Sequence, residues 1–381
     1  MKENAVMKLK LGKSGILEGI CAAAIAMCAN GMFDVDAGYA YEKGNTTYIS
    51  IPLSALSAAL VFILAAKIMK EHGIKSLCSL FQFAFGKVLA VAASVLICAS
   101  LIFCAAEPLA NLTQVLDGAV YEGVEYPALL AFILPVTIFI AFKGMETIAR
   151  TAKVFAALLV LSVAAAFVLS LPGQQSYRLY PLPGDSAGHF VRFTLSQWIC
   201  FLPPLAVLLI AAPGLHGTEH AEKIGISSAV ITAIICFAAQ FMLARLYSYK
   251  ALGSLFVPLC RVRYLSLERS YAMWLDKLLI MAWLIGCMVS SAYCIYGAAL
   301  IYANAFGQGD VGPAVIFVSL AVCTCVLLEF GMGIANTSVI HDIVIRWGSL
   351  GAFVPIAAAS AFAAVKGKRK KAVRCEGKII K

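Results

Sequence analysis

Charge is scarce in this chain. Asp, Glu, Lys and Arg make up 13% of its 381 residues, against about 25% in an ordinary soluble domain, too little to cover a water-soluble globule. Long polar stretches are missing as well. The longest, roughly 172 to 190, 247 to 273 and the C-terminal tail, are too short to bury a core of their own. There is no H-E-x-x-H, no G-x-S-x-G and no phosphate-cradling glycine loop. Histidines are few: His189, His216 and His220 fall in or near loops, and His216-x-x-x-His220 has helical metal spacing without a third ligand beside it. These absences argue against an enzyme, and no cofactor or metal is expected.

What is abundant is apolar. Hydrophobic residues reach 62% and the mean hydropathy is +0.90. Ten stretches of roughly 20 apolar residues run through the chain, the length a helix needs to cross hydrocarbon about 30 Å thick. Their approximate bounds are 15 to 33, 48 to 68, 87 to 110, 126 to 143, 150 to 171, 191 to 212, 224 to 246, 274 to 304, 312 to 332 and 347 to 365. The fold class is all-α integral membrane: one domain over 15–365, a segment 1–14 before it and a basic tail 366–381 after it.

Orientation follows from Lys and Arg, which favour cytoplasmic loops. About 20 of the 30 basic residues, including Lys10, Lys70, Lys143, Arg150, Lys153 and eight in the tail from Lys366 onward, fall on one side of ten crossings. Both termini are therefore expected in the cytoplasm of a multi-pass cell-membrane protein. The loop before span eight, with Arg261, Arg263 and Arg269, runs against this trend. The net charge of +10 is explained by topology and anionic lipid headgroups, not by nucleic acid. Most of the 13 cysteines sit inside apolar spans, where Cys acts as a small hydrophobe.

A turn-rich connector, marked by Pro172, Gly173, Pro181, Pro183 and Gly184, divides the spans into two sets of five, about 15–171 and 191–365. An odd number of spans per half reverses the second half in the membrane, the arithmetic of an inverted repeat. In that plan the first helix of each half is interrupted, and its freed backbone groups bind substrate. Both helices carry breakers. Ala29, Asn30 and Gly31 interrupt an Ala-rich helix in span one, and Pro203 and Pro204 disfavour helix at Phe201 and Leu202 in span six.

The pocket expected there is lined by Ala29, Asn30, Gly31, Phe33, Trp198, Phe201, Leu202 and Pro203, with Glu107 near the outer end of span three as a further lining residue. Half-helix N-termini attract a carboxylate and exposed carbonyls accept from an ammonium, so a small polar nutrient resembling an amino acid suits it. The plainer reading is a kink in each helix, with the aromatics facing lipid or protein. Ser290 and Ser291 in span eight offer hydroxyl oxygens for an ion site with span-one carbonyls, or bond back to their own helix.

At the turn into span five the chain reads Gly144-Met145-Glu146-Thr147-Ile148-Ala149-Arg150, with Glu146 and Arg150 in the favourable i, i+4 order. Further on come Phe256-Val257-Pro258, Arg261, Arg263, Asp276 and Trp283. The G-x-E-x-I-A-R run, the Tyr180-Pro181-Leu182 connector, the F-x-P block around Pro258 and the Asp276-to-Trp283 spacing resemble the endospore germination permease family, the B subunits of nutrient germinant receptors. Met273 and Trp274 replace the Glu-Arg usual before the aspartate, Tyr126-Pro127 replaces Thr-Pro, and Ala29-Asn30-Gly31 replaces Ile-Gly. The resemblance implies a LeuT-like fold of the amino acid, polyamine and organocation permeases, a site in the spore inner membrane, and A and C subunits as partners. It also implies a structural part for Gly144, Glu146, Arg150, Pro258, Asp276 and Trp283. The functional expectation is a receptor subunit that binds a nutrient and triggers germination; the alternative is a secondary amino acid transporter of the same fold.

Overall fold

The structure, a computed structural model, describes residues 15–33, 46–119, 126–171, 174–180, 186–215, 217–253, 273–308, 310–332, 348 and 350–366. Pro258 and nearly all of the basic tail lie outside them. The first helix, α1, spans Ile16–Cys28 and passes into a π-helical turn at Ala29–Phe33. It is followed by α2 (Thr47–Glu71), α3 (Leu77–Phe85), α4 (Lys87–Ala119), α5 (Tyr126–Phe142) and α6 (Met145–Ser170). After the connector come α7 (Ala187–Ser196), α8 (Trp198–Ile210), α9 (Thr218–Leu246), α10 (Met273–Phe306) and α11 (Gly312–Met332). The last is α12, Leu350–Lys366.

Among the described residues six helical spans are long and apolar enough to cross a membrane, α7 and α8 counting as one, and four shorter apolar helices accompany them. They correspond to the ten stretches of the sequence. The short α3 was not expected. Ser76 caps it by accepting from the Ser79 N–H, and Gly86, at φ 83°, ends it where a side chain would be strained.

Burial sorts the helices into centre and rim. The Ala187–Ile210 span is 89% buried over its apolar window and Ile280–Phe306 is 83% buried, whereas Met145–Val168 is only 28% buried. The rim helices turn Leu60, Phe132, Leu161 and Val154 outward, as hydrocarbon solvent allows. In the two halves, like packs on like: α2 lies most extensively against α9 and α4 against α10, and α1 meets α8 and α5 meets α11. Each is a pairing of corresponding helices, as two inverted five-helix repeats require.

Small residues let these pairs approach. A Cβ on Gly225 of α9 would lie 2.2 Å from the Phe62 ring of α2, and one on Gly297 of α10 would lie 2.3 Å from Val207 of α8. At the face where α1 begins, polar ties close the bundle. Lys70 and Glu219 pair at 2.7 Å, Lys153 and Glu18 at 3.8 Å, and the Lys366 ammonium donates to the Phe83 and Ala84 carbonyls at 2.9 and 3.0 Å. The last places a cation on the negative end of α3. The mutual hydrogen bond and charge of the exposed Lys70–Glu219 pair hold the Lys70 ammonium above its usual range and the Glu219 carboxyl below its own.

Two outcomes follow from this packing. Gly225→Leu overfills the α2–α9 seam and lowers stability by about 1–3 kcal/mol or more, read as thermal unfolding in detergent, and Phe62→Ala in the same chain recovers part of the loss. The depressed Glu219 carboxyl gives the Lys70 tie its strength above the ordinary carboxylate range, and the tie is lost as pH falls through the folded value. At the alkaline end it is lost as pH rises through the raised Lys70 value. Lys70→Met therefore flattens the pH profile of unfolding at both extremes.

Candidate ligand site at the interrupted helices

The π-turn Ala29–Phe33 is the meeting point of the bundle, in contact with α4, α8, α9 and α10. Helix one gives way here because Asn30 and Gly31 follow an Ala-rich run, and Gly has weak helix propensity. π-turns of this kind recur at functional sites. Ala29, Asn30 and Gly31 are buried; Phe33 lies in the turn, and its side chain is outside the described set.

Helix six is interrupted as well, at a place the prolines did not indicate. α7 ends at Ser196, Gln197 forms the turn, and α8 runs unbroken from Trp198 through Pro203 and Pro204 to Ile210. The expectation that Pro203 and Pro204 unwind Phe201 and Leu202 is corrected by this continuity. Pro203 has no N–H for the Ile199 carbonyl four residues back, and the Cys104 thiol of α4 donates to that carbonyl at 3.0 Å. The Tyr293 hydroxyl of α10 donates to the Pro204 carbonyl at 3.0 Å. Neighbouring helices supply donors that hold α8 together, as they must in a water-free interior.

The two interrupted helices pack together, and at Gly31 they come closest to interlocking. A Cβ on Gly31 would lie 2.4 Å from Cζ of Phe201, so the ring rests directly on the glycine. Phe201 is fully buried, and Leu202 and Pro203 beside it are buried too. Asn30 reaches the other way. Its Nδ2 donates to the Ala26 carbonyl at 2.8 Å and to Ser290 Oγ of α10 at 3.4 Å, and the Ser290 hydroxyl donates to the same carbonyl at 3.1 Å. Ser291 is equally buried, and its hydroxyl has no hydrogen-bond partner.

Other expected residues stand farther out. Trp198 turns to the bundle periphery: its indole N–H donates to Ser57 Oγ of α2 at 2.7 Å and its ring lies 4.6 Å from that of Phe353 in α12. Glu107 is buried in α4, the helix that packs on both the π-turn and α8, and its carboxylate accepts from the Asn111 amide at 3.3 Å. Gly144, at φ 90°, makes the sharp joint between α5 and α6, while Glu146 and Arg150 pair on the outside of α6 with side chains 39% and 67% exposed. That motif shapes a corner and does not touch the π-turn residues. Trp283 is fully buried in α10; Asp276 lies in the first turn of that helix, with its side chain outside the described set.

Sequence reasoning missed Gln197, Cys104 and Tyr293. A lone amide in an apolar run was the only signal for Gln197, and nothing local reveals that a thiol and a phenol will cap proline-freed or neighbouring carbonyls 95 and 89 residues away.

The Gly31–Phe201 contact yields a double-mutant test. Gly31→Ala is expected to destabilise the solubilised chain by about 1–3 kcal/mol, and Phe201→Ala by about 3–5 kcal/mol through the cavity it leaves. The double variant loses less than their sum, because the methyl then enters the space the ring vacates.

Comparison with known proteins places this geometry. No curated protein matches the chain in sequence. Among solved structures, MhsT in complex with L-phenylalanine superposes with a TM-score of 0.70 at 15% identity, covering 93% of this chain and 89% of that one. Mhp1, a nucleobase-cation-symport-1 family transporter in a closed conformation with bromovinylhydantoin bound, gives 0.63 at 11% identity, covering 96% and 93%. A substrate-bound, Na+-coupled sialic acid symporter gives 0.59 at 15% identity, covering 91% and 89%. These likenesses show a LeuT-like fold. A family described as spore germination protein matches residues 24–330, and this chain, with ten apolar helical spans among its described residues and the first and sixth interrupted, belongs to the spore germination permease family.

Proposed function

We propose that the chain is the nutrient-binding, membrane-spanning B subunit of a germinant receptor, with its ligand site where the π-turn of helix one faces Phe201 of α8. The observation that carries the reading is the junction itself, where Gly31 and the Phe201 ring close the only described contact of this kind between the two interrupted helices. Family membership supplies the germination setting. The small organic ligands named for MhsT, Mhp1 and the sialic acid symporter support a small polar ligand on this fold, and the L-phenylalanine of MhsT supports an amino acid.

In this reading Phe201 is a movable stopper. Ligand binding lifts the ring from Gly31, and the ligand shifts the protein toward that state by its greater affinity for it. Glu107, buried on the helix that meets both interrupted segments, faces the ammonium end. The receptor works in the spore inner membrane, termini in the cytoplasm, beside A and C subunits that carry the signal. The alternative, a secondary amino acid transporter, uses the same junction with alternating access.

Binding of a panel of amino acids to the purified chain, read by thermal shift, tests the site. One or more is expected to stabilise the wild type, with Gly31→Val abolishing the response while the protein still inserts. Glu107→Gln is expected to weaken it about tenfold or more, the ~1.5–3 kcal/mol of a hydrogen bond to a charged group. Unchanged responses in both variants would remove the site from this junction. Labelled amino acid accumulating in proteoliposomes that contain this chain alone would assign it to transport.

A further inference from the structure

The side-chain hydrogen bonds that join Ala26, Asn30 and Ser290 carry an inference that does not depend on the identity of the nutrient. Where α1 turns π-helical, the Ala26 carbonyl lies beside Ser290 Oγ of α10, both fully buried or nearly so. Two buried oxygens from two helices form the kind of setting that attracts a cation. Here the space beside them is taken. Asn30, 1% exposed, sends its amide nitrogen to within 2.8 Å of the carbonyl oxygen and 3.4 Å of the serine oxygen. A side-chain NH2 carries two donors and no acceptor on that nitrogen, so it meets the oxygens as a cation would, with no net charge to desolvate.

We infer that the Asn30 amide is a built-in substitute for a monovalent cation between helix one and α10, and that the protein joins these helices without one. An ion at this position would have to displace the amide from both oxygens. Ser291, the next residue and about 100° round the helix, takes no part in the cluster. The geometry also states what would restore a cation: a carboxylate at position 30 presents oxygens where the amide presents donors, and a cation then becomes the neutralising partner.

The test uses the full chain in detergent without nutrient, its unfolding followed in sodium, potassium or choline chloride at matched ionic strength. The wild-type midpoint is expected to be the same in all three. Asn30→Asp is expected to gain a rise of about 2 °C or more in sodium or potassium over choline. Should that variant fail to insert, Asn30→Ala, which takes the amide from both oxygens and leaves only the Ser290 bond between the two helices there, is expected to unfold earlier and to recover part of the loss in sodium or potassium alone. A cation-selective rise in the wild type that Ser290→Ala removes would overturn the inference, since an ion and not the amide would then hold the oxygens. Absence of any cation response in Asn30→Asp and Asn30→Ala would overturn it too, by showing that the position does not suit a cation. Amino acids that fail to bind would sink the nutrient reading and leave this result standing.

Discussion

A carbonyl oxygen in hydrocarbon has no water to turn to, and the architecture follows from how each interrupted helix meets that constraint. An intact helix satisfies its own backbone. A break frees acceptors, and every freed acceptor needs a donor from another element. The Ile199 carbonyl, freed by Pro203, takes the Cys104 thiol, while the Ala26 carbonyl, which already accepts from the Ala29 N–H, adds Asn30 and Ser290, and the Pro204 carbonyl adds the Tyr293 hydroxyl. Apart from the Asn30–Ala26 bond within helix one, these bonds run from helices one and six to α4 and α10. The donors therefore do more than satisfy backbone: they bind the interrupted helices to the uninterrupted ones, which are best placed to stay still.

The same logic explains why the centre of the bundle is the least lipid-exposed part. A broken helix cannot face acyl chains, so α8 and part of the last turn of α7 are enclosed, with α10 alongside. Enclosure demands close approach, and glycine provides it. Gly31 accepts the Phe201 ring, Gly225 the Phe62 ring and Gly297 the Val207 side chain. Two of these contacts put an aromatic ring where a side chain would otherwise stand, so the seams are tight without polar groups. The seam at Gly31 differs because it joins the π-turn of helix one to α8 just beyond the Gln197 turn.

Most of the fold was legible in the residues because the bilayer imposes one length and one polarity on every crossing. Ten apolar runs, a Pro- and Gly-rich connector between two sets of five, and Asn30-Gly31 in the first helix were enough to reach an inverted repeat. Helix six shows where local reading ends. Proline weakens a helix by removing a donor and crowding the preceding turn, yet Pro203 and Pro204 stand inside a continuous α8 because Cys104 and Tyr293 come from distant parts of the chain. Gln197 forms the turn although an amide has no marked preference against helix. α3 escaped notice because nine residues, though mostly apolar, are too few to span a membrane and owe their form to a serine cap and a glycine with positive φ. In the candidate site, Asn30, Gly31, Phe201 and Ser290 were legible from breakers and buried polarity, whereas the outward turn of Trp198 depends on Ser57 and Phe353, which sequence spacing does not bring near.

Helix one is tied at three heights by interactions of different kinds. Glu18 meets Lys153 of α6 at its start, a Cβ on Gly19 would lie 3.0 Å from Ile224 of α9, and Asn30 reaches Ser290 of α10 at its end. None is covalent and none brings a net charge into the deep interior. The exposed ion pair contributes little, the glycine contact is shape alone, and the amide cluster is a set of neutral hydrogen bonds that re-form with other partners if the helix tilts. A segment held this way has discrete arrangements instead of a continuum, because close-packed seams are either seated or not. In the proposed function, a ligand that lifts Phe201 from Gly31 acts where the π-turn meets α8, and its differential affinity is then spent on moving helix one against α6, α9 and α10 together.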